Sequence, residues 1–183
     1  RITHDGAVDE WTAKDAQAPV PSGQIGWLLP APDGSLWLAA PGGGVQQRDS
    51  ATGRLLGDFP AGEGSGLGDA DIEAMVLSAS GAPWLATSDG ILQFDKRRQR
   101  FVQNAAMGHE RAYALAFDGD AVLWIQRFAG LERYQRKGDL WVRDENIGAQ
   151  YGMPAVAAGA MVVDAQHRVW FTPSPGLFRG DPR

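Results

Sequence analysis

Trp84-Leu85-Ala86-Thr87-Ser88-Asp89-Gly90-Ile91-Leu92-Gln93-Phe94-Asp95 is the stretch whose reading decides the fold. Two short apolar runs flank a Ser-Asp-Gly turn, and such turns need local side-chain hydrogen bonds or a residue that tolerates positive φ. The stretch therefore reads as two strands of one hairpin. Trp84 has counterparts in matching settings: Ser35-Leu36-Trp37-Leu38-Ala39, Val122-Leu123-Trp124-Ile125-Gln126 and Arg168-Val169-Trp170-Phe171-Thr172. From Trp37 through Trp84 and Trp124 to Trp170 the intervals are 47, 40 and 46 residues.

The flanks repeat with the tryptophans. An apolar strand precedes each: Trp27-Leu28-Leu29, Ala74-Met75-Val76-Leu77, Tyr113-Ala114-Leu115-Ala116-Phe117 and Ala160-Met161-Val162-Val163. A third strand follows each, opening on Gly43-Gly44, Gly90, Gly130 and Gly176. The first three repeats add a fourth: Leu55-Leu56-Gly57-Asp58-Phe59, Arg100-Phe101-Val102-Gln103 and Leu140-Trp141-Val142. Four strands per unit at about 40 to 50 residues is the signature of a β-propeller blade. A lone blade has two uncovered apolar faces, so neighbouring blades must bury them. Trp37, Trp84, Trp124 and Trp170 are expected to pack between blades as repeated core aromatics rather than to stack on a ligand.

The expected fold is all-β, with four-stranded antiparallel blades and about four blade equivalents. Residues 1–24 read as the end of a preceding blade and a linker, with strands at Arg1–His4 and Val8–Thr12. Residues 25–71, 72–112 and 113–159 read as blades, and 160–183 as a partial one. The N-terminal strand could complete the last blade and close a small ring, but an arc of a larger propeller is expected. No 3.6-residue apolar pattern lasts three turns. Ala149 to Ala160 is Ala-rich, yet Gly152, Pro154 and Gly159 interrupt it, and it reads as a loop.

Composition narrows the function. The net charge is -5 and the pI about 5.1, which argues against the clustered basic patch of a nucleic-acid binder. The one basic run, Lys96-Arg97-Arg98-Gln99-Arg100, falls in a hairpin turn. There is no cysteine, hence no disulfide framework, thiolate zinc site or Cys nucleophile. His4, His109 and His167 fall at different repeat positions and make no metal-ligand spacing. Asp118-Gly119-Asp120 lacks the later ligands of a calcium loop, and Gly42-Gly43-Gly44 precedes a strand rather than a helix, so it is no phosphate cradle. No metal, no cofactor and no catalysis are expected. No apolar run is long enough to span a bilayer. The chain opens at Arg1 with neither initiator Met nor signal peptide, which points to a fragment of a longer protein.

The consensus of these repeats resembles the two-component regulator propeller repeat. Asp33-Gly34-Ser35-Leu36-Trp37-Leu38-Ala39, Trp84 through Asp95 and Asp49-Ser50-Ala51-Thr52-Gly53 carry the resemblance, and Gly66-Leu67-Gly68-Asp69-Ala70-Asp71-Ile72 is similar to that family's inter-blade linker. It covers nearly the whole chain. It implies an arc of a seven-bladed (or larger) propeller on the periplasmic or extracellular side of a bacterial inner-membrane receptor. The output domain would be a histidine kinase or a diguanylate cyclase. Membrane attachment would come only through parts of the parent chain not present here, and dimerisation through that receptor. A second resemblance is local: Val169-Trp170-Phe171-Thr172-Pro173 is similar to a strand of the streptogramin-lyase propellers, metal-dependent enzymes with a catalytic His, and His167 stands just before it.

In repeat scaffolds the loops vary while the sheets stay constant, so departures from the repeat mark candidate sites. Gln126-Arg127-Phe128 stands where sister repeats have Ala40-Pro41, Thr87-Ser88 and Pro173-Ser174. Met107-Gly108-His109-Glu110-Arg111 and Tyr151-Gly152-Met153-Pro154 are the other two departures. Arg127, Phe128, His109, Arg111 and Tyr151 are expected to face the channel mouth and to bind a small molecule or peptide, an Arg offering a forked donor and the aromatics a flat wall.

Overall fold

A computed structural model of the chain describes residues 6, 8, 10–12, 14–15, 19–21, 24–173 and 176–181. The first sheet holds β1 (Trp27–Pro30), β2 (Ser35–Ala40), β3 (Gly44–Asp49) and β4 (Leu55–Phe59). The second holds β5 (Ile72–Leu77), β6 (Pro83–Thr87), β7 (Gly90–Asp95) and β8 (Arg100–Gln103). The third holds β9 (Ala114–Asp118), β10 (Val122–Arg127), β11 (Gly130–Lys137) and β12 (Leu140–Ile147), and the last holds β13 (Ala158–Val163), β14 (Val169–Pro173) and β15 (Phe178–Gly180). Strands follow chain order within each sheet and all pairs are antiparallel. These are the blades of a β-propeller: three of four strands and one of three among the described residues. The only helical segments described are two 3-10 turns, Ala105–Met107 and Ala149–Tyr151.

The register repeats with the sequence. Trp37, Trp84, Trp124 and Trp170 each sit on the second strand, opposite Gln47, Gln93, Arg133 and Arg179 on the third. Alternation along the middle strands gives the first three blades two buried faces, the arrangement expected of a sheet covered on both sides, whereas β14 of the last blade is fully buried on one face only. On β6, Leu85 packs with Trp37 and Phe59 of the first blade, whereas Trp84 and Ala86 pack with Leu115, Leu123 and Ile125 of the third. Trp124 likewise meets Met161, Val169 and Phe171 of the last blade. Each buried Trp thus faces the following blade, as its repetition predicts. Trp170 is only half-buried. The guanidinium carbons of Arg168 and Arg179 stand 5.6 and 5.9 Å from the centre of its ring, and its indole N–H donates to Asp164 Oδ2 at 2.7 Å. The indole N–H groups of Trp37 and Trp124 are buried without a hydrogen-bond partner.

The glycines that open the third strands are required by close approach. Gly44, Gly90 and Gly130 have φ of 97, 89 and 151°. A Cβ at any of them would run into the carbonyl oxygen of Phe59, Gly108 or Ile147, where the outer strand or its exit loop passes overhead.

Some boundaries differ from the sequence reading. β12 runs to Ile147, well past Val142, and β13 begins at Ala158, inside the stretch read as a loop. The predicted strand Arg1–His4 lies outside the described residues. Residues 10–12 of the predicted strand Val8–Thr12 take no strand; instead Thr12 N–H bonds the Asp15 carboxylate, and Asp15 and Val20 N–H both donate to the Thr12 carbonyl. This segment lies on the first blade: Trp11 covers Gly53, and the Pro19 carbonyl accepts from Gln46 Nε2 at 2.9 Å and Arg48 Nη2 at 3.0 Å.

Candidate functional site

Antiparallel order sends alternate connections to opposite ends of the blades. The β2–β3, β6–β7 and β10–β11 turns and the long β4–β5, β8–β9 and β12–β13 connections share one end. The loop residues singled out from the sequence all fall at this end, because each interrupts a repeat in one of these connections. The β4–β5 connection, similar in sequence to an inter-blade linker, clasps the next blade: Phe101 N–H donates to the Ser65 carbonyl at 2.8 Å. A cleft of about 380 Å³ remains between this connection and β8 and opens beside Thr87, Asp89 and His109.

His109 and Arg111 ride on the β8–β9 connection. His109 Nδ1 lies 3.1 Å from Asp89 Oδ1 on the β6–β7 turn, with both side chains exposed. Arg111 donates through Nε and Nη2 to Glu73 Oε1, the former at 2.9 Å. Its guanidinium carbon stands 5.6 Å from the centre of the Tyr113 ring. Ala112 N–H donates to the Thr87 carbonyl at 3.0 Å, pinning the connection to the blade top. The surface therefore presents a His–Asp pair at the mouth of the cleft and an Arg–Glu ion pair whose arginine is on the same connection. Phe128 on the β10–β11 turn and Tyr151 in the β12–β13 connection are 54% and 57% exposed at the same end.

Arg127 is a correction. It does not face the channel mouth, because strand alternation turns it inward with Leu123 and Ile125, and it is 3% exposed. Its Nε donates to Glu132 Oε2 at 2.7 Å, and Nη1 and Nη2 donate to the carbonyls of Glu110 and Met107. Glu132 in turn accepts from Arg143 Nη1 at 2.5 Å, and Tyr134 Oη lies 3.2 Å from it. Burial pushes the Glu132 carboxyl up, but Arg127 and Arg143 more than offset this and hold it below the usual carboxylate range. Burial, with the Glu132 charge second, raises the Tyr134 hydroxyl. Arg127 therefore moors the connection that carries His109 and Arg111. Gln126 acts similarly on the next connection, donating from Nε2 to the Val156 carbonyl at 2.7 Å.

Asp89, Glu73, Glu132 and Arg143 were not singled out from sequence. Glu132 had a signal: it occupies the place of Gln46 and Leu92 in the sister repeats, a charge in mid-strand. Asp89 and Glu73 had none, since acidic residues in turns and on half-exposed strands are ordinary.

His167 lies at the opposite end, in the β13–β14 turn, with φ of 63° and its Nδ1 2.6 Å from Asp118 Oδ1. The hydrogen bond and charge of Asp118 raise its pKa above the usual 6.5. The pair should therefore stabilise the junction fully below about pH 6.5 and lose that contribution as pH rises through the folded value. Titration of the His167 ring by NMR should give a pKa above that of a free imidazole, and Asp118→Asn should bring it back. An unchanged value in the variant would contradict the pairing. Among the described residues no group of three or more His, Asp or Glu side chains is placed to hold a metal ion, and no helix is long and apolar enough to cross a membrane.

No family model and no curated protein matches the chain. Solved structures do. The extracellular domain of a protein from B. thetaiotaomicron assigned to the hybrid two-component systems aligns with 94% of this chain and 22% of its own, at 16% identity and a TM-score of 0.63. An auxiliary nutrient binding protein from Bacteroides thetaiotaomicron aligns with 89% of this chain and 39% of its own, at 9% identity and a TM-score of 0.65. A streptogramin B lyase aligns with 91% of this chain and 57% of its own, at 14% identity and a TM-score of 0.61. At these identities the likeness establishes the β-propeller fold. The chain spans about a fifth of the first of these and little more than half of the last.

Proposed function

We propose that this chain is a ligand-recognition segment of a bacterial sensory receptor on the periplasmic or extracellular side of the membrane, with no catalysis of its own. The observation that carries this reading is the concentration of non-repeat residues at one end of the blades. There His109 and Asp89 line a cleft of about 380 Å³, Arg111 on the same connection as His109 pairs with Glu73, and Phe128 and Tyr151 are exposed at the same end. Paired charges and apolar rings on loops held by a rigid scaffold are the usual makings of a small-molecule or peptide site. The resemblance to sensor propellers supports the receptor context. His167, on the opposite end and paired with Asp118, gives no support to a lyase-like centre beside Trp170.

The test is a binding screen on the full ectodomain, with oligosaccharides, amino acids and short peptides followed by calorimetry. For a ligand carrying a charged group, Arg111→Ala and His109→Ala are each expected to weaken binding by about tenfold, roughly 1.4 kcal/mol. Phe128→Ala is expected to weaken an apolar ligand similarly. Unaltered affinity in all three variants would contradict the placement of the site.

A further inference from the structure

The larger of the two described cavities runs from the start of the β8–β9 connection to the turns at the end opposite His109. It is a groove of about 590 Å³ on the rim between the second and third blades. Its floor is aromatic. Trp84, Phe117 and Trp141 meet edge to face or tilted, with ring centres 5.5, 5.6 and 6.2 Å apart. The groove exists because the third blade breaks the repeat. In the second blade Phe101 fills the junction with the first and is 1% exposed. In the third, Arg143 stands opposite Tyr134 and reaches Glu132, and the aromatic residue comes instead at Trp141, opposite Arg136. β12 also runs eight residues against the four of β8, so the outer strand of the third blade overhangs the second.

The walls are polar and carry both signs. Gln93 and Asn104 form one wall, their amides joined at 3.2 Å. Asp120 and Asp139 stand on the β9–β10 and β11–β12 turns and line the groove with Arg136. Among the described residues neither aspartate side chain has a hydrogen bond or ion pair, and the Arg136 side chain donates from Nε to the Gly138 carbonyl at 3.0 Å.

We infer that this groove is a binding site for a short peptide with free termini and at least one large apolar side chain. Arg136 is the donor for the terminal carboxylate, whose planar oxygens match a guanidinium fork. Asp120 and Asp139 accept from the terminal ammonium. The aromatic floor takes the apolar side chain through ring contacts, and the amides of Gln93 and Asn104 offer both a donor and an acceptor to a peptide group. The volume falls within the roughly 300–1,000 Å³ of small-ligand sites. A purely anionic or cationic ligand would meet like charge on one side, so the mixed walls select a zwitterion. This inference is separate from the loop-end reading: Gln103 lines both cavities, but the charged and aromatic groups argued here take no part in that reading.

Isothermal titration of the full chain with a tripeptide bearing a central phenylalanine tests it, with tryptophan fluorescence as a second readout. The tripeptide with free termini is expected to bind and to perturb the emission. Its N-acetylated, amidated form is expected to bind at least tenfold more weakly. Arg136→Ala, an exposed change with no packing role, should weaken the free tripeptide at least tenfold with an unchanged circular dichroism spectrum. Trp141→Phe should keep binding and diminish the fluorescence response, the remainder coming from Trp84 in the same floor. No binding of the free tripeptide at millimolar concentration, or equal binding of the blocked form, would overturn the inference, and so would equal binding by Arg136→Ala.

Discussion

Glu132→Ala is expected to cost about 3–5 kcal/mol of folding stability, measured by denaturant unfolding. The change leaves the Arg127 guanidinium, 4% exposed, without its carboxylate. It also frees Arg143 from the blade junction. An unpaired buried cation is expensive because desolvation is no longer offset by a fixed counter-charge. Replacing both members, Arg127→Met with Glu132→Leu, should recover much of the loss, since an apolar pair of similar volume needs no counter-charge. The sister repeats already carry Thr87 and Leu92 at these places. The pH dependence has a definite sign. Glu132 has a folded pKa below its unfolded one, so its contribution is present above about pH 4.3 and is lost as pH falls through the folded value. The gap between the native chain and Glu132→Ala should therefore narrow in acid. A gap that widened, or a single-variant cost under about 1 kcal/mol, would contradict the buried network.

Trp84→Ala is the second large effect, also about 3–5 kcal/mol. Trp84 is 7% exposed and joins two blades through Phe117 and Trp141. Removing it opens a cavity that neither rigid sheet can collapse into. Trp37→Ala and Trp124→Ala should cost similar amounts, as both are 3% exposed or less. Trp170→Ala should cost less than half as much, because one face of that ring is covered only by Arg168 and Arg179. Equal costs at all four positions would mean that the tryptophans act within their own blades and not between them.

Most of the architecture was legible in the sequence because a propeller repeats its decisions. Trp at one register, Gly at the head of the third strand and an acidic or Gly-bearing turn recur, and each recurrence corroborates the others. The ends were less legible. The segment before Gln24 has only one copy to be compared with, and its Thr12–Asp15 turn rests on side-chain bonds that no periodicity announces. Arg127 is the instructive error. Its departure from the repeat was visible, but departure alone does not say which way a side chain points. Strand parity does: Leu123, Ile125 and Arg127 alternate onto one face, and Glu132 and Tyr134, paired across the ladder with Ile125 and Leu123, share that face. A charge placed by parity on a buried face implies a buried partner of opposite sign, and Glu132 was available. Phe128, one residue later, leaves the strand and is exposed. His109 and Arg111 were singled out from sequence, whereas the side chains they meet, Asp89 and Glu73, come from other connections and strands, so only the fold brings them together.

The loop end also sets how a ligand would be sensed. The β8–β9 connection is held at Met107 and Glu110 by Arg127, at Ala112 by Thr87, and at its exposed tip by Gln103 Nε2 on the Gly108 carbonyl, the His109–Asp89 contact and the Arg111–Glu73 pair. A rigid base with an exposed tip allows recognition without reordering the blade. The most direct measurement is hydrogen–deuterium exchange of the full ectodomain with and without the ligand that the screen identifies. The account predicts added protection in residues 105–112 and in the β6–β7 and β10–β11 turns, with the turns at the opposite end unchanged. For a ligand that Arg136→Ala still binds at full affinity, protection confined to that opposite end, or to the strands of the blades alone, would contradict it.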